Sequence, residues 1–112
     1  MNDVCSRVIR EFSEFLEDTN KKSPAITAST AYEITIKSTI STILQTLDAE
    51  NKMEERFWNH LRVQRNILDF LYVLWLDDDR SLVDEFSYVI EDLVQEDFEI
   101  AEANMKARMK IA

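Results

Sequence analysis

Glycine is missing from all 112 residues of this chain, and proline occurs once, at Pro24. Without glycine no residue enters the positive-φ region freely. Tight hairpin turns, glycine-rich phosphate loops and strained nucleophile elbows therefore lose their usual building block. The same absence excludes most loop-borne enzyme signatures and predicts an all-α fold. Cysteine also occurs once, at Cys5, so no internal disulfide can form, and the N-terminus lacks the basic-then-apolar pattern of a secretory signal. Both features predict a cytoplasmic protein. The longest apolar run, Ile67 to Leu76, is broken by Asp69 and is far shorter than the roughly 20 residues a membrane span needs.

What is present suffices for one helical domain over 1–112. Hydrophobic residues make up 46% of the chain and charged residues 31%, the balance of a globular protein and not of a disordered one. The net charge is −9, and one segment carries it: residues 77–102 hold eleven acids against one base, while 103–112 hold three bases and no acid. So acidic a chain lacks the electrostatic footprint of a nucleic-acid binder.

Periodicity predicts a compact bundle of about four helices with antiparallel neighbours, the third and fourth long. Asn2 or Asp3 can cap the first, which sets Val4, Val8, Phe12, Phe15 and Leu16 on one face and stops near 18–22, before Ser23-Pro24. The Thr- and Ile-rich stretch 28–47 alternates like a strand at its start. Tyr32, Ile36, Ile40, Ile43, Leu44 and Leu47 nevertheless share one helical arc, Thr30 and Glu33 have capping-box spacing, and no second alternating run exists to pair with a strand. A third helix is expected from Lys52 to Leu76, burying Met53, Phe57, Leu61, Leu68, Leu71, Tyr72 and Trp75. Its end is apolar all round, so Phe70, Val73 and Leu74 face either a second subunit or a covering element of the same chain. Asp77, Asp78 and Asp79 mark a turn, Ser81 and Asp84 a second cap, and Leu82, Phe86, Val89, Ile90, Leu93 and Ile100 the core face of helix four. Asp97 interrupts that face. An offset stripe of Val94, Phe98, Ala101, Met105 and Met109 then predicts either a kink near Glu96 or a last stretch, 98–112, that leaves the bundle to meet a partner.

Catalytic and metal patterns fare poorly. Asp77, Asp79 and Ser81 begin like a calcium loop, but Leu82 and Tyr88 stand where Gly and Glu belong. A two-metal bundle needs Glu-x-x-His, and Phe57 precedes the only histidine, His60, at that spacing. Glu11, Glu14 and Asp18 with Glu91, Asp92 and Asp97 imitate only loosely the magnesium-binding carboxylates of helical nucleotide pyrophosphohydrolases, whose EExxE and ExxD spacings are missing. His60 and Gln64 are expected to be hydrogen-bonded inside the bundle, and Cys5 to be a small buried hydrophobe. Arg56, Arg62 and Arg65 are expected to pair with the acidic last helix, and Lys106, Arg108 and Lys110 complement a helix C-terminus.

The expectation is thus a protein without catalytic residues, cofactor or metal, a homodimer through Phe70, Val73 and Leu74. It would bind and inhibit, escort or regulate another protein with a basic surface. The residues expected to carry that contact are Asp77, Asp78, Asp79, Asp84, Glu85, Glu91, Asp92, Phe98, Met105 and Met109. Small immunity-type or anti-defence inhibitors are the natural analogy, since they too are short and acidic. The alternative is an acidic mimic of nucleic acid that blocks a DNA- or RNA-handling protein, and the third reading is the magnesium-dependent pyrophosphohydrolase, acting through Glu91 and Asp92.

Overall fold

The computed structural model describes residues 2–22, 27–77 and 86–111. They form five helices and no strand: α1 Asp3–Lys22, α2 Ala28–Ala49, α3 Glu55–Arg62, α4 Ile67–Leu76 and α5 Phe86–Ile111. The all-α class holds, with one helix more than expected. None of these helices is long and apolar enough to cross a membrane. The expected cap at Ser81 and Asp84, with Leu82, lies outside the described residues.

Side chains cap the starts of α1, α2 and α4, and backbone bonds close the far ends of α2 and α4. The Asn2 side chain accepts the Cys5 amide at 2.9 Å and thereby caps α1. Asn2 also donates twice to the Asp48 carboxylate, tying the start of α1 to the end of α2. Helix α2 starts earlier than the Thr30–Glu33 spacing implies, because Thr27 is its cap and takes the Thr30 amide on its hydroxyl. Glu33 turns instead to Lys37. The threonines of α2 do not resist the helix: Thr35, Thr39, Thr42 and Thr46 each donate their hydroxyl to the carbonyl four residues back. At its far end Asn51, at φ 53°, takes the left-handed position that glycine usually fills. Lys52 N then reaches Leu47 O and Asn51 N reaches Asp48 O, which closes a Schellman turn.

The expected third helix is two. The chain leaves helical geometry after Arg62, and Asn66 caps a new helix by accepting the Asp69 amide at 2.9 Å. The break is held from α1 by two residues one turn apart. Arg7 donates to the carbonyls of Arg62, Gln64 and Arg65, while the buried Glu11 accepts the amides of Ile67 and Leu68 at 3.3 and 3.1 Å. One guanidinium therefore satisfies the carbonyl end of α3, and one carboxylate the amide end of α4.

The core runs through every helix, with Val4 and Val8 of α1, Ile40 and Leu44 of α2, Leu61 of α3, Leu68 and Leu71 of α4, and Ile90 and Val94 of α5 all fully buried. Trp58 and Ile67, not foreseen, are buried with them, whereas Tyr32 and Ile100, expected inside, are exposed. Tyr32 is held by its hydroxyl, which accepts the Trp75 indole N–H at 3.2 Å. Lys37 is the unexpected core member: it is 2% exposed, with its ammonium 2.7 Å from both Glu33 and Asp69 and 3.8 Å above the centre of the Phe15 ring.

Replacing Glu11 by Ala leaves two buried amides without an acceptor and an arginine without its counter-ion. Urea unfolding should therefore show a loss of about 2–4 kcal/mol, well beyond the ~1 kcal/mol expected for Asn66→Ala, which removes a single cap bond. Equal losses for the two variants would mean that Glu11 is only a surface ion.

Candidate interaction surface

Helix α5 packs on α2, α3 and α4, and its attachment explains why Asp97 sits among apolar residues. The Asp97 carboxylate lies 2.7 Å from Nε2 of His60, and the neighbouring Phe98 stands edge-on to Phe57 and His60, at 5.4 and 5.6 Å between ring centres. Gln64 donates to the His60 carbonyl, so the polar pair expected at His60 does form, but with Asp97 at its ring. Past Phe98 the helix continues unbroken to Ile111, and residues 99–109 are all exposed. This length explains a radius of gyration of 15.4 Å, against about 13 Å for a compact chain of this size.

The three residues expected at a dimer interface have separate positions. Phe70 stands edge-on to His60 at 6.0 Å and Leu74 packs on the core, while Val73 is 53% exposed on the outer side of α4. Phe70 thus meets α3 and Leu74 shares a hollow with α5, while Val73 stays open.

Of the ten residues expected to meet a partner, Asp78, Asp79, Asp84 and Glu85 lie outside the described residues. Asp77 and Asp92 are exposed, Glu91 is half-buried, Phe98 is half-buried against α3, and Met105 and Met109 are 65% and 73% exposed on the projecting end of α5. The end of α4 and the middle of α5 enclose a hollow of about 180 Å³, lined by Leu74, Asp77, Leu93, Glu96, Asp97 and Ile100. Its lining combines three aliphatic side chains with three carboxylates. Glu96 and Ile100 carry no sign in the sequence that they belong with Asp77. Their i, i+4 spacing places Glu96 and Ile100 one turn apart on α5, beside Leu93, but says nothing of α4.

Among the described residues, Arg56 and Arg62 form no ion pair with α5, contrary to expectation. Arg62 pairs with Asp3 and Glu55, and the Arg62 guanidinium holds the Asp3 carboxyl below its usual range. Arg56 pairs with Glu54 and meets α5 only through its stacking over Phe98. The larger groove between α1 and α2, about 390 Å³, is lined by Ile9, Phe12, Leu16 and serine, threonine and glutamine side chains, with no ionisable group. Among the described residues no three His, Cys, Asp or Glu side chains converge as metal ligands. Glu11, one of the carboxylates grouped with those of α5, is taken up by the amides of α4. Compared with protein-family models, with curated proteins and with solved structures, the chain matches none.

Cys5 is 1% exposed and donates to the Leu44 carbonyl at 3.4 Å. Burial, reinforced by the Asp48 carboxylate, pushes its thiol up from 9.0 to about 11, so it is no nucleophile at neutral pH. The folded chain should react with iodoacetamide only as fast as it opens. The stability that this shift contributes is full below the unfolded thiol's value and is lost as pH rises from 9.0 to about 11. Wild type should therefore lose stability relative to Cys5→Ala across that window in pH-dependent unfolding; parallel curves would contradict the assignment.

Proposed function

We propose that this protein is a non-enzymatic binding module that recognises a basic residue on another protein and thereby inhibits, escorts or regulates it. The observation that carries this reading is the hollow between α4 and α5. Leu74, Leu93 and Ile100 offer aliphatic surface beside the carboxylates of Asp77, Glu96 and Asp97. An arginine or lysine is amphipathic in the same way, with an apolar stem and a charged head, and Arg in particular pairs well with carboxylates.

The surrounding charge supports the same partner chemistry. Residues 86–102 of α5 carry six acids and no base, and Asp92, Glu96, Glu99 and Glu102 are exposed. A field of one sign speeds the approach of an oppositely charged protein and rejects like-charged ones. Val73 and Leu76, both 53% exposed on the neighbouring stretch of α4, add apolar area beside the hollow.

The test is capture of protein partners from the source cell's lysate by the tagged chain and by Asp77→Asn/Glu96→Gln, each at low and high salt. The expected result is one stoichiometric protein, bound by wild type and at least about tenfold less by the double variant, the equivalent of ~1.4 kcal/mol. Capture that the double variant leaves unchanged would overturn the role of the hollow, and recovery of the chain alone would overturn the reading. A DNA- or RNA-handling protein released entirely by salt would favour mimicry of nucleic acid in its place.

A further inference from the structure

The projecting end of α5 poses a separate problem. An isolated helical end gains little in water without a packed apolar face, yet this one carries such a face. Val94 is buried in the bundle, Phe98 is half-covered by α3, and Ala101, Met105 and Met109 continue the same stripe in the open. From Phe98 to Met109 the stripe extends for about 16 Å of helix.

The charges beside the stripe decide what can cover it. One edge of α5 reads Glu99, Glu102, Lys106, and the other reads Asp97, Arg108, so that both edges run from acid to base. Two such helices laid side by side in the same direction would set acid against acid and base against base. Turned antiparallel, each edge meets its own reverse. With the twofold axis between Ala103 and Asn104, Lys106 of one copy stands level with the space between Glu99 and Glu102 of the other. Met109 then falls on the open side of the partner's Phe98, a favourable contact for a thioether. The stripe and its flanks are thus complementary to themselves in one orientation only.

We infer that α5 is a self-association element, and that a second copy of this chain covers Ala101, Met105 and Met109 in an antiparallel pair. The contact leaves the hollow beside Asp77 open, so each dimer presents two of them. A partner with two basic sites would be held with higher avidity than a single hollow allows. The pairing itself stands whether or not the hollow binds a partner.

Sedimentation equilibrium of the full chain over a wide concentration range tests this. The expected result is a mass that rises from 13.2 kDa to twice that value. Met105→Glu/Met109→Glu, both at exposed positions, should keep its helix content and stay monomeric. Lys106→Glu/Arg108→Glu and Glu99→Lys/Glu102→Lys should each weaken self-association by about tenfold or more. An equimolar mixture of the two should restore it, as a one-to-one heterodimer. A wild type that remains monomeric throughout overturns the proposal, as does a mixture that associates no better than either variant alone. Parallel pairing would be betrayed by close approach of spectroscopic labels placed at position 107 in both copies, and it too would overturn the antiparallel assignment.

Discussion

The bundle depends on the joint that Arg7 and Glu11 make at the break between α3 and α4. Ending one helix and starting another within four residues exposes carbonyls at the end of the first and amides at the start of the second, and neither set can be left dry. A glycine-rich turn would normally carry part of that burden through its own geometry. Here α1 does so from outside, its guanidinium on the carbonyls and its carboxylate on the amides, the two held 3.4 Å apart as an ion pair. The joint also sets the position of α1. Its spacing of one helical turn places both groups on the side of α1 that carries Val4 and Val8, so the polar clasp and the apolar packing share one surface.

Lys37 is a second case in which burial and charge are resolved together. Its ammonium is removed from water, which would be costly alone, but two carboxylates lie at 2.7 Å and two aromatic faces, Phe15 and Tyr72, at 3.8 and 5.5 Å. The four partners come from α1, α2 and α4, so the cation joins three helices at one point. Burial, with Glu33 close by, raises the Tyr72 hydroxyl above its usual range, which keeps that ring neutral beside the carboxylates.

Much of this was legible in residue order, and what was not has a common cause. The cap at Asn2, the boundary of α1, the helical arc of α2 and most of the core follow from spacing along one helix. The break at 63–66 does not, because Met53 to Trp75 keeps an acceptable apolar period across it and the groups that stabilise it, Arg7 and Glu11, lie more than fifty residues away. The Thr30–Glu33 box failed because Thr27 competes for the same amide from one turn earlier, and Lys37 claims Glu33. On the candidate surface, Asp77 and the exposure of Met105 and Met109 were legible, since acid clusters and an offset stripe are local patterns. The hollow was not: Leu74 and Ile100 share it only because α5 crosses the end of α4.

Why the negative charge collects on α5 follows from where the positive charge is used. Arg7, Lys37 and Arg62 are structural cations, committed to carbonyls and carboxylates that hold α1 to α4 in place. A cation spent on a joint cannot also neutralise a distant helix, and a helix that rests on one side of the bundle has little need of neutralisation, since water solvates its outer face. Anchorage of α5 instead relies on short-range contacts, the Asp97–His60 bond and the Phe98 ring against α3, which tolerate a strong field on the opposite side. The division lets the core be tightened by mutation without altering the charged surface, and the surface be retuned without loosening the core. Asp97 is the exception. It belongs both to the anchor and to the lining of the hollow, so any cation drawn in beside Glu96 approaches the same carboxylate that fastens α5 to His60.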